Sequence, residues 1–95
     1  NDENLEVKLW DEFDNIRKTI TDIKDPRFVN AKNRLIEFYY DIVFDVAKQM
    51  HPKYNVLEVD ELASYGVDGL YGAIDKFERE RGLKFKTYAS VKIRG

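Results

Sequence analysis

Residues 35–47 constrain the fold of this chain more than any other stretch. Only Glu37, Asp41 and Asp45 are charged there, and they recur every fourth position; every other residue is aliphatic or aromatic. Four-residue spacing puts the three carboxylates on one narrow line of a helix and leaves the rest of the circumference apolar. Such a helix must be enclosed by others. Its pattern extends in both directions. Phe28, Ala31, Leu35, Phe38, Tyr39, Ile42 and Val46 form one stripe, and Ile36, Tyr40, Val43, Phe44 and Ala47 form a second. Asp25-Pro26 supplies an N-cap and a first helical residue. His51-Pro52 ends the run, because the residue before proline avoids the helical region. The central helix therefore spans about 26–50.

Three other helices are expected around it. Leu5, Leu9, Phe13, Ile16 and Ile20 recur at three- and four-residue spacing with Trp10 beside them, which predicts a helix over about 5–20 with Asn4 as its cap. Leu62, Gly66, Leu70, Ala73, Ile74 and Phe77 give the inner face of a helix over about 59–81, with Gly82 as its stop. Gly66, Gly69 and Gly72 lie inside that helix, each at a cost of about 1 kcal/mol relative to alanine, so close approach of another backbone is expected there. A fourth helix over about 86–95 places Ala89 and Ile93 inward. The fold class is all-α, a compact bundle of about four helices with the last one cut short. No repeat and no strand-like alternation is present.

Composition removes several functions. With 95 residues there is room for one domain. There is no cysteine, so disulfides, thiolate catalysis and cysteine-ligated metals are out. His51 is the only histidine, and no apolar run approaches the ~18 residues of a membrane span. No basic-then-apolar leader opens the chain, so secretion is not expected. The chain starts on Asn1 and its last helical pattern is still running at Gly95, so a piece of a longer protein is expected.

The charge is divided. Residues 1–78 carry 10 Lys and Arg against 17 Asp and Glu, net −7; residues 79–95 carry 6 against 1, net +5. Two different partners are therefore expected, with a polyanion at the tail. Arg79, Arg81, Lys84, Lys86, Lys92 and Arg94 alternate there with Phe85 and Tyr88. Cations neutralise phosphates and aromatic rings stack on unpaired bases, so single-stranded nucleic acid fits this tail. The plainer alternative is that Phe85 anchors the turn in the core while the lysines solvate. On the third helix, Asp60, Glu61, Ser64, Tyr65, Asp68, Tyr71 and Asp75 share the outer face. Tyrosines among carboxylates suit a protein contact with a basic partner as well as they suit a solvated surface. Catalysis has the weakest case. Glu37, Asp41 and Asp45 would hold a divalent cation only if they were not the solvated line of the central helix, and His51 lacks a partner for acid–base work.

The segments VDELASYGVDGL (59–70), AIDKFERERG (73–82) and KFKTYASVKIRG (84–95) together resemble the second conserved region of bacterial RNA polymerase sigma factors of the sigma-seventy class. Residues 33–50 resemble the helix before it, and 9–34 the short helical segment before that, so the likeness covers about 5–95. The ending Val91-Lys92-Ile93-Arg94-Gly95 is nearest the flagellar and sporulation-type alternative factors.

The resemblance implies a single core-binding and promoter-melting domain over 1–95, in the cytoplasm, with no enzymatic activity and no cofactor. Residues 5–25 would be a leading helix and linker, 26–82 the core-binding helices and 83–95 an incomplete DNA-melting segment. Docking on the coiled coil of the largest polymerase subunit is implied for Asp60, Glu61, Ser64, Tyr65, Val67, Asp68 and Tyr71. A base flipped from the non-template strand of promoter DNA would enter a pocket of Phe77, Glu78, Arg81, Thr87 and Tyr88, with Tyr88 as the stacking ring and Phe85 nearby. Lys84, Lys86, Lys92 and Arg94 would hold phosphates. Val91 and Lys92 stand where housekeeping members carry two tryptophans that wedge the upstream edge of the melted region, which implies melting that is weaker or more dependent on a strong promoter. An anti-sigma regulator masking the core-binding face, with no DNA contact, is the competing expectation.

Overall fold

The computed structural model describes residues 2–95. Among them are four α-helices, α1 (Asp2–Thr19), α2 (Pro26–Met50), α3 (Val59–Lys76) and α4 (Phe85–Arg94), with one 3-10 turn at Arg79–Arg81 and no strand. The fold is all-α. The chain divides into two compact units, residues 2–38 and residues 39–95, with the boundary inside α2. None of the described helices is long and apolar enough to cross a membrane.

In the first unit, α1 begins at Asp2, so Asn4 lies inside the helix and not at its cap. Asp2 and Glu3 occupy its first turn and Arg17 and Lys18 its last, each sign complementing the helix dipole. Trp10 and Phe13 are buried, as are Ala31, Leu35 and Ile36 of α2. The Phe13 ring lies 6.1 Å from that of Trp10, edge-on, and 5.5 Å from that of Phe28. Glu12 of α1 and Arg34 of α2 form an ion pair.

The start of α2 follows its sequence signal. The Arg27 backbone N–H donates to Asp25 Oδ1 at 2.9 Å, and Val29 N–H donates to the Asp25 carbonyl at 3.0 Å. The Arg27 guanidinium also donates to both carboxylate oxygens, at 3.2 and 3.0 Å. These bonds hold the Asp25 carboxyl below its ordinary pKa, the side-chain bond from Arg27 contributing most, and raise that of Arg27 in return.

In the second unit, Tyr39, Ile42, Val43, Val46 and Ala47 of α2 are buried, and so are Ala63, Leu70, Ala73 and Ile74 of α3 and Phe85, Ala89 and Ile93 of α4. Glu58 caps α3, and its backbone N–H donates to Glu61 Oε1 at 3.1 Å, one half of a capping box.

Two glycines explain how α3 and α4 meet. A Cβ on Gly69 would stand 2.8 Å from the Lys92 carbonyl oxygen and 2.9 Å from Ile93 Cα; one on Gly66 would stand 3.0 Å from Ile93 Cγ2 and Val43 Cγ1. The backbone of α4 is laid against α3 where side chains are missing. Gly72 has nothing within 4 Å and plays no part in this packing.

The third helix ends at Lys76, five residues short of the expected Arg81. Phe77 is extended (φ −69°, ψ 132°), and Gly82, in the left-handed region at φ 78°, closes the separate 3-10 turn. The apolar phase explains the break. Phe77 is the last apolar residue on the inner face, and continued helix would turn Glu80 and Arg81 inward at 100° per residue. Leaving the helix at Phe77 keeps both in solvent.

Candidate nucleic-acid and partner interfaces

The outer face of α3 carries every residue assigned to partner docking. Asp60, Glu61, Ser64, Tyr65 and Asp68 are exposed, Tyr65 by 70%, and Val67 and Tyr71 are half-buried along its edge. Helical spacing places the seven in one continuous band. The Ser64 hydroxyl donates to the Asp60 carbonyl at 3.1 Å, and Glu61 is engaged in the capping box. Glu61 is therefore a structural residue as well as a surface charge, which its spacing alone did not reveal.

The second candidate site lies where α3, the 3-10 turn and α4 come together. A hollow of about 130 Å³ is lined by Lys76, Phe77, Glu78, Arg81, Leu83 and Tyr88. Four of the five residues expected in the pocket are thus gathered there. Thr87 is not: it is exposed on α4 and lies outside the lining. Lys76 and Leu83 were missed. Leu83 had a visible signal, an apolar residue standing alone in the charged run from Glu78 to Lys84, and it is 49% exposed. Lys76 carried no such signal, being one cation within a helix expected to run on to about Arg81.

A series of rings leads from the core to this hollow. Tyr39 and Phe85 have centroids 4.3 Å apart, Phe85 meets Phe77 edge-on at 5.1 Å, and Phe77 meets Tyr88 at 5.5 Å. Phe85, 4% exposed, and Phe77, 6% exposed, are core residues. Phe85 is therefore corrected from a candidate DNA contact to a support, because its ring is enclosed by Tyr39 and Phe77. Phe77 forms the wall of the hollow and offers no free stacking face. Tyr88, half-buried, is the ring that reaches solvent.

The cations of the tail are held differently from one another. Arg81 pairs with Glu78, Nε to Oε2 at 3.2 Å, beside the hollow. Arg94 donates to Gln49 Oε1 of α2. Lys84 and Lys86 are exposed. The Lys92 ammonium lies over the Tyr88 ring, 5.5 Å from its centroid. Helical geometry sets Tyr88 and Lys92 on one flank of α4 and Lys86 roughly 160° away, so the lysines do not converge on one point. Val91, 64% exposed, points out between the flanks. Among the described residues, no three carboxylate or histidine side chains gather into a metal-holding group; Glu37, Asp41 and Asp45 lie exposed along α2.

The family model described as Sigma-70 region 2 matches residues 35–95, nearly the extent of the second unit. The RNA polymerase sigma-D factor of Bacillus subtilis is 58% identical over 36 residues, covering 38% of this chain and 14% of that protein. The RNA polymerase sigma factor RpoD of Helicobacter pylori is 32% identical over 77 residues, covering 79% of this chain and 11% of that protein. The chain thus spans a small part of the length of these relatives. No solved structure matches it significantly. A family match over most of the chain, on the residues that build the α3 face and the hollow, leads to one assignment: this chain belongs to the sigma-70 region 2 family.

Proposed function

We propose that this chain is the part of a transcription initiation factor that docks on core RNA polymerase through α3 and takes up an unpaired base of the promoter minus-ten element through the hollow at Tyr88. The observation that carries the proposal is the hollow itself. An aromatic ring half open to solvent, braced by Phe77 with Phe85 behind it, and with Lys76 in the lining and Lys92 beside it, suits a base with its phosphate. Stacking returns ~1–3 kcal/mol per base, enough to offset the few kcal/mol spent on extruding it. Glu78 and Arg81 at the rim supply an acceptor and donors for the edge of the base. The acidic residues of the α3 face, Asp60, Glu61 and Asp68, precede Lys76 at the hollow by eight or more positions, about 12 Å or more along the helix, which weakens their repulsion of a strand bound there. Its carboxylates and Tyr65 suit a basic helical partner, and the coiled coil of the largest polymerase subunit is the partner proposed.

The test is fluorescence anisotropy with a labelled single strand of the minus-ten element. The native chain binds the non-template strand more tightly than its complement, and Tyr88→Ala weakens that binding about tenfold, the worth of one stacked base. Equal affinity of native and Tyr88→Ala proteins for both strands would sink the proposal.

A further inference from the structure

We infer that Lys92 is an exchangeable cover on Tyr88: its ammonium occupies the stacking face when no base is bound, and a base entering the site drives it off onto the adjoining phosphate. The inference rests on the base-holding reading above and goes further, because it makes the phosphate contact of Lys92 conditional on the base.

The geometry is specific. Lys92 follows Tyr88 by one helical turn on the same flank of α4, and its Nζ stands over the ring, 5.5 Å from the centroid. Arg81 is engaged with Glu78 and Arg94 with Gln49, so neither plays this part. A cation over an aromatic face is held by the ring quadrupole, weakly at an exposed site. A stacked base is held more strongly, so it wins the competition for the face. The displaced ammonium stays within reach of the strand, because it sits on a flexible four-carbon stem and a stacked base brings its own phosphate to the edge of the ring. The two events are then linked. Base uptake uncovers the ring and releases a cation where a new negative charge has arrived.

The experiment is a cycle of two strands and two proteins. The strands are the minus-ten oligonucleotide and the same oligonucleotide made abasic at one position, chosen as the position where Tyr88→Ala has no further effect. The proteins are native and Lys92→Met, which keeps the stem and removes the charge, each checked by thermal melting. Lys92→Gln stands in if Lys92→Met melts early. On the intact strand the substitution weakens binding about fivefold at low salt and lowers the slope of log affinity against log salt by about 0.7, one phosphate contact on a single strand. On the abasic strand the loss is under about twofold and the slope is unchanged. Equal losses on both strands would show an independent phosphate grip and overturn the inference. So would no loss on either strand, or tighter binding of the intact strand by Lys92→Met. If no position shows a Tyr88 effect, the base-holding reading has itself failed, and that result is distinct from the other three.

Discussion

The carbonyl oxygen of Lys92 lies 2.8 Å from the point where a Cβ on Gly69 would stand. That single distance ties α3, the helix proposed to dock, to α4, the helix proposed to hold the strand. It fixes α4 against α3 by backbone contact and so determines where Tyr88 and Lys92 face.

The three glycines of α3 should behave differently when changed to alanine. Gly69→Ala meets rigid backbone and should cost about 1–3 kcal/mol of stability, as overpacking does. Gly66→Ala meets only the methyl groups of Ile93 and Val43 and should cost less. Gly72→Ala meets nothing and should stabilise by about 0.5–1 kcal/mol through helix propensity alone. Urea unfolding followed by circular dichroism gives the order; three equal effects would contradict this packing.

Acid should weaken the start of α2. The native Asp25 carboxyl is held below its unfolded pKa by Arg27, so its contribution is present above the ordinary carboxylate range and is lost as pH falls through the depressed native value. Asp25→Asn keeps a good cap and should melt close to the native temperature at neutral pH while losing this part of the acid dependence. Parallel melting curves against pH for the two proteins would refute the assignment.

Glu61 and Asp68 should separate under charge reversal. Glu61 accepts the Glu58 backbone N–H, so Glu61→Arg should lower stability by roughly 0.3–1.5 kcal/mol in addition to weakening docking. Glu61→Gln should keep the cap. Asp68→Arg should weaken docking without moving the melting temperature, and a matching drop in melting temperature for Asp68→Arg would count against the division.

Phe85 should act through the fold alone. Phe85→Ala removes a ring packed between Tyr39 and Phe77 and should cost about 3–5 kcal/mol. Its loss of strand binding should therefore track its loss of helix signal at 222 nm, whereas Tyr88→Ala loses binding with the helix signal intact. Weak binding by a fully folded Phe85→Ala would restore Phe85 as a direct contact.

Much of this was legible in the sequence, because helical periodicity, Asp25-Pro26 and His51-Pro52 are local signals. The α2 boundaries were read correctly for that reason. The end of α3 was not, because the charged run after Phe77 looked like helix until the cost of turning Glu80 and Arg81 inward was counted. The glycines pointed to a close approach, yet only packing could separate Gly66 and Gly69 from Gly72. The hollow depended on an extended Phe77, a backbone choice with no residue signature, so Leu83 and Lys76 escaped notice, and the sequence left Phe85 open between a core anchor and a DNA contact.

The central claim is that two faces of one unit serve two partners. The most direct measurement places Tyr65→Ala and Tyr88→Ala against both the isolated coiled coil of the polymerase largest subunit and the minus-ten single strand. Tyr65→Ala should weaken the coiled-coil complex about tenfold or more, as loss of an exposed aromatic anchor does, and leave the strand affinity unchanged. Tyr88→Ala should do the reverse. If both substitutions weaken the same partner, or neither weakens either, the assignment of the two faces is wrong.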